Sequence, residues 1–334
     1  MTDSTPVCSD SASSESSLLI GIDVAKQSLD LARSDTDAVV SFDNNAAGHR
    51  RLLASLAGAK PAVIVVESTG GLERPLLEAL LEALLEADLN VALVNPSKVR
   101  HLAKGLGILA KTDKIDARLL VEFARAARPR LLEKRSANQV QLQALVTCRR
   151  QLQRSLTEQT NRLGSTRVKS AVQALQAVIK TLQKQIGSLD EQIRRLIDSD
   201  DSFKDLDRLI CSVPGIGPVG SAMLMAMLPE LGKVDRRQLP ALVGVAPYND
   251  DSGRTRGQRS IRGGRTDLRC VLYMGTLSAM RFNPIIKTFA IRLRAAGKRS
   301  KVVIVACMRK LSVLLNAMVR ENLLWNQLNL VKNA

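Results

Sequence analysis

From Leu18 to Ala25 the chain reads LLIGIDVA, an apolar run broken by one acid, Asp23, and this predicts a strand. The next two runs, SLDLARS and AVVSFDN, alternate apolar and polar positions on either side of Asp35-Thr36-Asp37, and predict a hairpin. A short helix is expected around His49 to Ala57. Pro61 opens AVIVVES, a β-branched run with the character of a buried central strand ending at Glu67. Gly70-Gly71 breaks the chain, and a Leu/Glu/Ala helix is expected from about Pro75 to Ala87. NVALVNP reads as another buried strand closed by Pro96, and a further helix starts near Thr112 and continues through DARLLVEFARAA.

The order is thus β-β-β-α-β-α-β-α, a meander followed by α/β alternation. Periodicity alone gives "α/β"; the three-strand start followed by parallel crossovers is the plan of the RNase H and RuvC nucleases. Beyond it, from about Ala137 to Ile197, Leu142, Leu145, Leu152, Leu156 and Leu163 recur at roughly heptad spacing. Val172 to Leu196 continues the pattern after a break near Gly164-Ser165-Thr166. Two long antiparallel helices or a coiled-coil stalk are expected. After Arg269 come three apolar helices with basic faces. The expected architecture is α/β plus all-α: a polar, Ser-rich disordered tail (1–17), an RNase H-like domain (18–130), a helical or coiled-coil middle (131–200) and a mostly helical C-terminal domain (201–330).

Acids inside apolar strands are costly unless paired or metal-bound. Asp23 and Glu67 hold such positions, and Asp113 and Asp116, three apart at a helix start, face one side. Either Asp113 or Thr112 would also suit as the helix cap. Converging, the four carboxylates would hold two Mg²⁺ ions about 4 Å apart, which activate the attacking oxygen and stabilise the leaving one in phosphodiester chemistry. Asp30 and Asp43 read as solvent-compatible. Ser68-Thr69-Gly70-Gly71 lacks the G-K-[ST] of a phosphate loop.

Charge changes the picture from fold to partner. The chain of 334 residues carries a net charge of +17, with aromatics at only 2%. So basic a protein suits a polyanion, bound by Arg and Lys on phosphates rather than by base stacking. No run of about 18 apolar residues is evident, so no transmembrane helix and no membrane partner are expected. Cys8, Cys148, Cys211, Cys270 and Cys307 are widely spaced, as suits thiols of a reducing cytoplasm rather than a disulfide or zinc framework.

Two candidate phosphate-binding motifs lie in the C-terminal part. Val213-Pro214-Gly215-Ile216-Gly217 matches a helix-hairpin-helix turn, in which Gly215 and Gly217 let backbone N–H groups approach a phosphate. The segment from Pro247 spaces Arg254, Arg256, Arg259, Arg262, Arg265 and Arg269 among glycines, a composition suited to wrapping phosphates. Ser252, just before these arginines, would be a hydroxyl nucleophile whose transition state they stabilise; Ser260 is a rival, and no histidine lies near in sequence to act as base.

GIDVAK, VESTGGLE, VNPSKVR, KTDKIDAR, VPGIGP, LPELG, LVGVAP, SG and IRGGR, in this order from Leu18 to Trp325, resemble the DEDD transposases of the IS-one-ten family, IS-eleven-eleven subgroup, to which Piv-type DNA invertases are related. The one departure is a threefold LLEA repeat from Leu76 to Ala87. The resemblance implies that Asp23, Glu67, Asp113 and Asp116 are the family's four acids and that Ser252, rather than Ser260, is its nucleophile. It implies a transient phosphoserine link to donor and target DNA, a structured bridge RNA as guide, and dimers or tetramers with composite active sites. The residues themselves also admit a metal-dependent nuclease using the acids alone, or a non-enzymatic nucleic-acid-binding protein.

Overall fold

A computed structural model describes residues 17–68, 74–252, 255–257 and 259–327. All but the last residue of the expected tail, the Gly70-Gly71 break and Arg254 lie outside the described residues. The chain divides into two compact units, 1–134 and 135–334.

The first unit holds a five-stranded sheet of β1 (Leu19–Val24), β2 (Ser28–Arg33), β3 (Val39–Asp43), β4 (Val63–Glu67) and β5 (Val91–Val94), in spatial order β3-β2-β1-β4-β5. β1 pairs antiparallel with β2 and β2 with β3, while β4 runs parallel to both β1 and β5. This is the meander and crossover order expected from the pattern. Strand alternation then assigns the faces. Ile20, Ile22, Ile64 and Val66 pack with Leu52 and Leu56 of α1 (Ala46–Leu56) and Leu80 and Leu84 of α2 (Arg74–Glu86). Val65, Ala92 and Val94 pack on the opposite face with Val99 and Ala103 of α3 (Pro96–Gly105) and Leu119, Leu120 and Phe123 of α4 (Asp113–Ala127). Each fully buried aliphatic side chain contributes about 1.5–3 kcal/mol.

The pattern missed α3. Pro96 reads as the end of a strand, but proline has no N–H to lose at a first helical position. Asn95 completes the start, its side chain accepting from Ser97 N at 2.9 Å. Pro96 therefore both ends β5 and opens a helix.

Gly21 sets how close α4 comes to the sheet. A Cβ at this position would run into the Ala117 carbonyl oxygen and the Leu120 side chain. Any residue but glycine between Ile20 and Ile22 would push α4, and the acids at its start, away from β1.

In the second unit, α5 (Ala137–Ser165) and α6 (Lys169–Ser199) form an antiparallel helical hairpin, tied by Arg149 Nε to Asp190 at 2.5 Å. Leu142, Val146, Ile193, Leu196 and Ile197 of this hairpin enter one core with the C-terminal helices. Those helices are α7 (Asp201–Cys211), α8 (Pro218–Met227), α9 (Gln238–Val243), α10 (Thr266–Phe282), α11 (Pro284–Ala295) and α12 (Ser300–Glu321). Between α9 and α10 lie four two-residue strands, β6 (Pro247–Tyr248), β7 (Asp251–Ser252), β8 (Thr255–Arg256) and β9 (Ser260–Ile261). They pair as β6 with β9 and β7 with β8.

One expectation about the apolar pattern is corrected here. Among the described residues α12 is long and apolar enough to cross a membrane by length and composition. Half of its apolar stretch is packed inside the unit, with Val303, Cys307, Leu311 and Met318 fully buried, which accounts for its apolarity as that of a core helix.

Candidate active site

The face that carries α4 also carries the acids. Gly21 of β1 and Val65 of β4 are register partners that face α4, and Asp23 and Glu67 lie two residues further along the same strands. Both therefore project toward α4 at neighbouring strand ends. Thr112 caps α4, its hydroxyl accepting from Ile115 N at 3.3 Å, so Asp113 is not the cap. Asp116, one turn in, is buried, while Asp113 is exposed.

Electrostatics bring the four acids into one group. Asp23 is pushed up from 3.8 to about 6, first by burial and then by the negative charges of Glu67, Asp116 and Asp113, against a backbone N–H from Val24. Glu67 is also raised, by burial and then by Asp116, while Arg100 and Lys111 pull it back. Like charges gathered in a partly desolvated place disfavour ionisation in this way.

Arg100 of α3 is part of the group, and the sequence pattern does not single it out. Its Nη2 lies 3.1 Å and 3.3 Å from the two carboxylate oxygens of Asp116. The missed helix thus carries the missed residue. Asp30 was missed for a different reason. It is buried rather than solvent-facing, it lies directly across from Asp23 in the β1–β2 register, and it accepts a hydrogen bond from the Ser41 hydroxyl. Cross-strand partners share a face, so the hairpin register was the signal that could have found it.

Among the described residues, no three His, Cys, Asp or Glu side chains are drawn tightly enough together to enclose an ion. The donor set is nevertheless all oxygen and mutually repulsive, which suits a hard divalent cation. A cation here would relieve the repulsion that raises Asp23.

In the second unit the turn from Ser212 to Gly217 joins α7 to α8. Gly215 has φ +111°, and a Cβ there would lie 2.6 Å from Ala279 N, so only glycine lets the turn sit against α10. Gly217 is the N-cap of α8. A cavity of about 790 Å³ opens beside this turn, with Arg150 and Arg154 of α5 among its lining residues.

Ser252 is exposed on β7, with Thr255 as its register partner. Ser260 is exposed on β9. The arginines that follow divide by what they touch. Arg259 is exposed, and Arg262 is exposed with an ion pair to Asp250 at 3.1 Å. Arg265 grips the buried Glu230 with both Nη atoms, at 2.7 Å and 2.5 Å, and donates to Met227 O at 2.8 Å. Arg269 donates to Gly263 O at 3.0 Å and Gly244 O at 3.3 Å. Arg265 and Arg269 thus fasten the loop to the helical core. Arg256 lies on β8.

Comparison with known proteins finds relatives of this chain. A family model for DEDD transposases of IS110 type matches residues 20–168, and one for transposases of the IS116/IS110/IS902 family matches residues 207–290. The pilin gene-inverting protein of Moraxella bovis is 30% identical over 315 residues, covering 91% of this chain and 96% of the relative. The transposase of insertion sequence element IS1111A from Coxiella burnetii is 22% identical over 293 residues, covering 79% of this chain and 78% of the relative. Among solved structures, T. thermophilus RuvC in complex with Holliday junction substrate aligns at a TM-score of 0.27 and 17% identity, over 35% of this chain and 99% of that chain. The sequence matches carry the assignment by themselves: the chain belongs to the IS116/IS110/IS902 family of transposases and is an enzyme of DNA recombination.

Proposed function

We propose that the chain is the transposase and site-specific recombinase of an insertion sequence, cleaving and rejoining DNA through two chemical centres. One centre is the Asp23, Glu67, Asp113 and Asp116 group of an RNase H-like domain spanning about residues 18–130. The other is Ser252 in the helical domain of residues 201–330. The observation that supports the reading is that Asp23 and Glu67 lie at neighbouring parallel strand ends facing the helix whose first turn carries Asp113 and Asp116. These four carboxylates would hold Mg²⁺, which when bound would supply Lewis-acid activation of a phosphodiester oxygen.

The chain's own residues divide the remaining work. The Ser252 hydroxyl attacks phosphorus, gives up its proton and forms a phosphoserine link, while the displaced strand end leaves as a hydroxyl. Attack by that or another strand end on the same phosphate reverses the step and rejoins DNA. Arg259 and Arg262 meet the phosphate charge, and Gly215 and Gly217 offer backbone N–H groups at a helix start. The pilin gene-inverting relative supports rejoining rather than simple cutting. A bridge RNA guides donor to target, and dimers or tetramers bring one protomer's acids to another's serine. The test is reconstitution with DNA carrying the element's ends and RNA transcribed from its flank. Joined product is expected with Mg²⁺ and RNA, and none when EDTA is added or RNA omitted. Product that forms in EDTA would overturn the metal centre.

The arginine division gives a further expected result. Arg262→Ala weakens DNA binding by lowering the slope of log affinity against log salt by about 1, with little change in Tm. Arg265→Ala removes the two guanidinium hydrogen bonds to buried Glu230 and the one to Met227 O, and lowers stability by ~2–4 kcal/mol. Salt-dependent binding and calorimetry on both variants check this. Equal salt slopes for wild type and Arg262→Ala would remove that residue from the interface.

A further inference from the structure

Arg100 stands outside the four acids yet touches one and acts on a second. Its position is fixed from the chain upward. Asn95 and Pro96 start α3, and Val99 and Ala103 pin one face of that helix against the sheet and α4. The next residue round the helix from Val99 is Arg100, and its Nη2 meets both oxygens of Asp116. Asp116 is 10% exposed at its side chain and Arg100 33%, so a solvent-reaching cation closes over a buried anion. The same charge partly offsets the rise that burial and Asp116 impose on Glu67. Among the described residues Nη2 is the guanidinium nitrogen of Arg100 that makes a hydrogen bond, so the group is held at one corner.

We propose that Arg100 is a positioning residue of the acidic centre: its guanidinium occupies Asp116 in place of a divalent cation and leaves that carboxylate when the cation loads. This rests on the reading of the four acids as a metal centre. A guanidinium stays charged at any working pH, so the competition does not switch off with titration. Two consequences follow. Without metal, Arg100 offsets the repulsion among Asp116, Glu67 and Asp23 and keeps α3 and α4 together. Loading then requires breaking a charge-assisted hydrogen bond at a buried oxygen, which weakens cation affinity.

The test uses Mn²⁺ alone as probe, on the full chain without nucleic acid, read by electron paramagnetic resonance of the free ion. Arg100→Ala is expected to bind Mn²⁺ about tenfold more tightly than wild type, the order expected for one charge-assisted hydrogen bond. Arg100→Gln, which keeps polar bulk, should tighten similarly, and Arg100→Lys should stay within about threefold of wild type. Structural damage would lose affinity, so a gain is not its signature. Unchanged or weaker binding in both Arg100→Ala and Arg100→Gln, with wild type binding normally, overturns the inference and leaves the metal centre standing. No binding by any of these proteins overturns both.

Discussion

Asp23→Asn is expected to lose strand cleavage by on the order of 10³-fold or more while making the metal-free protein more stable. The two effects have one cause. Asp23 sits half-buried among three other negative charges, and its carboxyl is pushed up from 3.8 to about 6. At ~1.36 kcal/mol for each tenfold change in proton affinity, that rise amounts to about 3 kcal/mol, which solvent screening at this half-exposed group reduces to ~1 kcal/mol. Because the folded-state value is the higher one, the folded protein holds this proton more tightly than the unfolded chain does. Wild type therefore loses stability as pH rises from about 4 to 6, and Asn, neutral throughout, does not. In chelator the variant's Tm advantage is near zero below pH 4 and complete above about pH 7, amounting to roughly 2–4 °C. Excess Mg²⁺ should reverse the order, because only wild type gains the full binding energy. Calorimetry across pH with EDTA or Mg²⁺ checks this, together with a cleavage assay on the same preparations. A variant that still cleaves, or that melts earlier in EDTA, would remove Asp23 from the centre.

What was legible in the sequence follows from where the signals are local. Asp23 and Glu67 stand out because an apolar strand makes an isolated acid conspicuous, and Asp113 and Asp116 because helical spacing puts them on one side. Their convergence depends on β4 lying parallel beside β1, a non-local pairing that only the meander and crossover order suggested. Asp30 escaped because an alternating strand does not say which face is solvent; the pairing with Asp23 decides it. Arg100 escaped because Pro96 punctuates both a strand end and a helix start, and without α3 there was no element to carry it. The arginine loop reads, from composition, as one wrap of positive charge. Glu230, 35 positions from Arg265, is too distant in sequence to separate the arginines that fasten the loop from those that stay exposed.

The acid site and the serine stand on unequal footing, and Ser252→Ala is the substitution that separates two-centre chemistry from a nuclease with one centre. Ser252 lies exposed on a two-residue strand, and its register pairing to Thr255 is made by the backbone. Loss of its hydroxyl should change stability by no more than about 0.5 kcal/mol, so a defect cannot be assigned to unfolding. If the hydroxyl is the nucleophile, Ser252→Ala abolishes the covalent protein–DNA adduct and all joined product, with Mn²⁺ and DNA binding unchanged. Ser252→Cys retains a nucleophile and should give a weak adduct, whereas Ser260→Ala should react as wild type does. The measurement is denaturing electrophoresis of labelled DNA after quenching, with peptide mapping of the adduct. Asp23→Asn supplies the other half, since it should bind DNA yet form no adduct if the acids assist attack at the same phosphate. Cleavage that persists in Ser252→Ala while vanishing in Asp23→Asn would mean that water, activated at the acidic centre, does the cutting. Recombination that survives both substitutions would leave only the basic surface, and the chain would then act by binding alone.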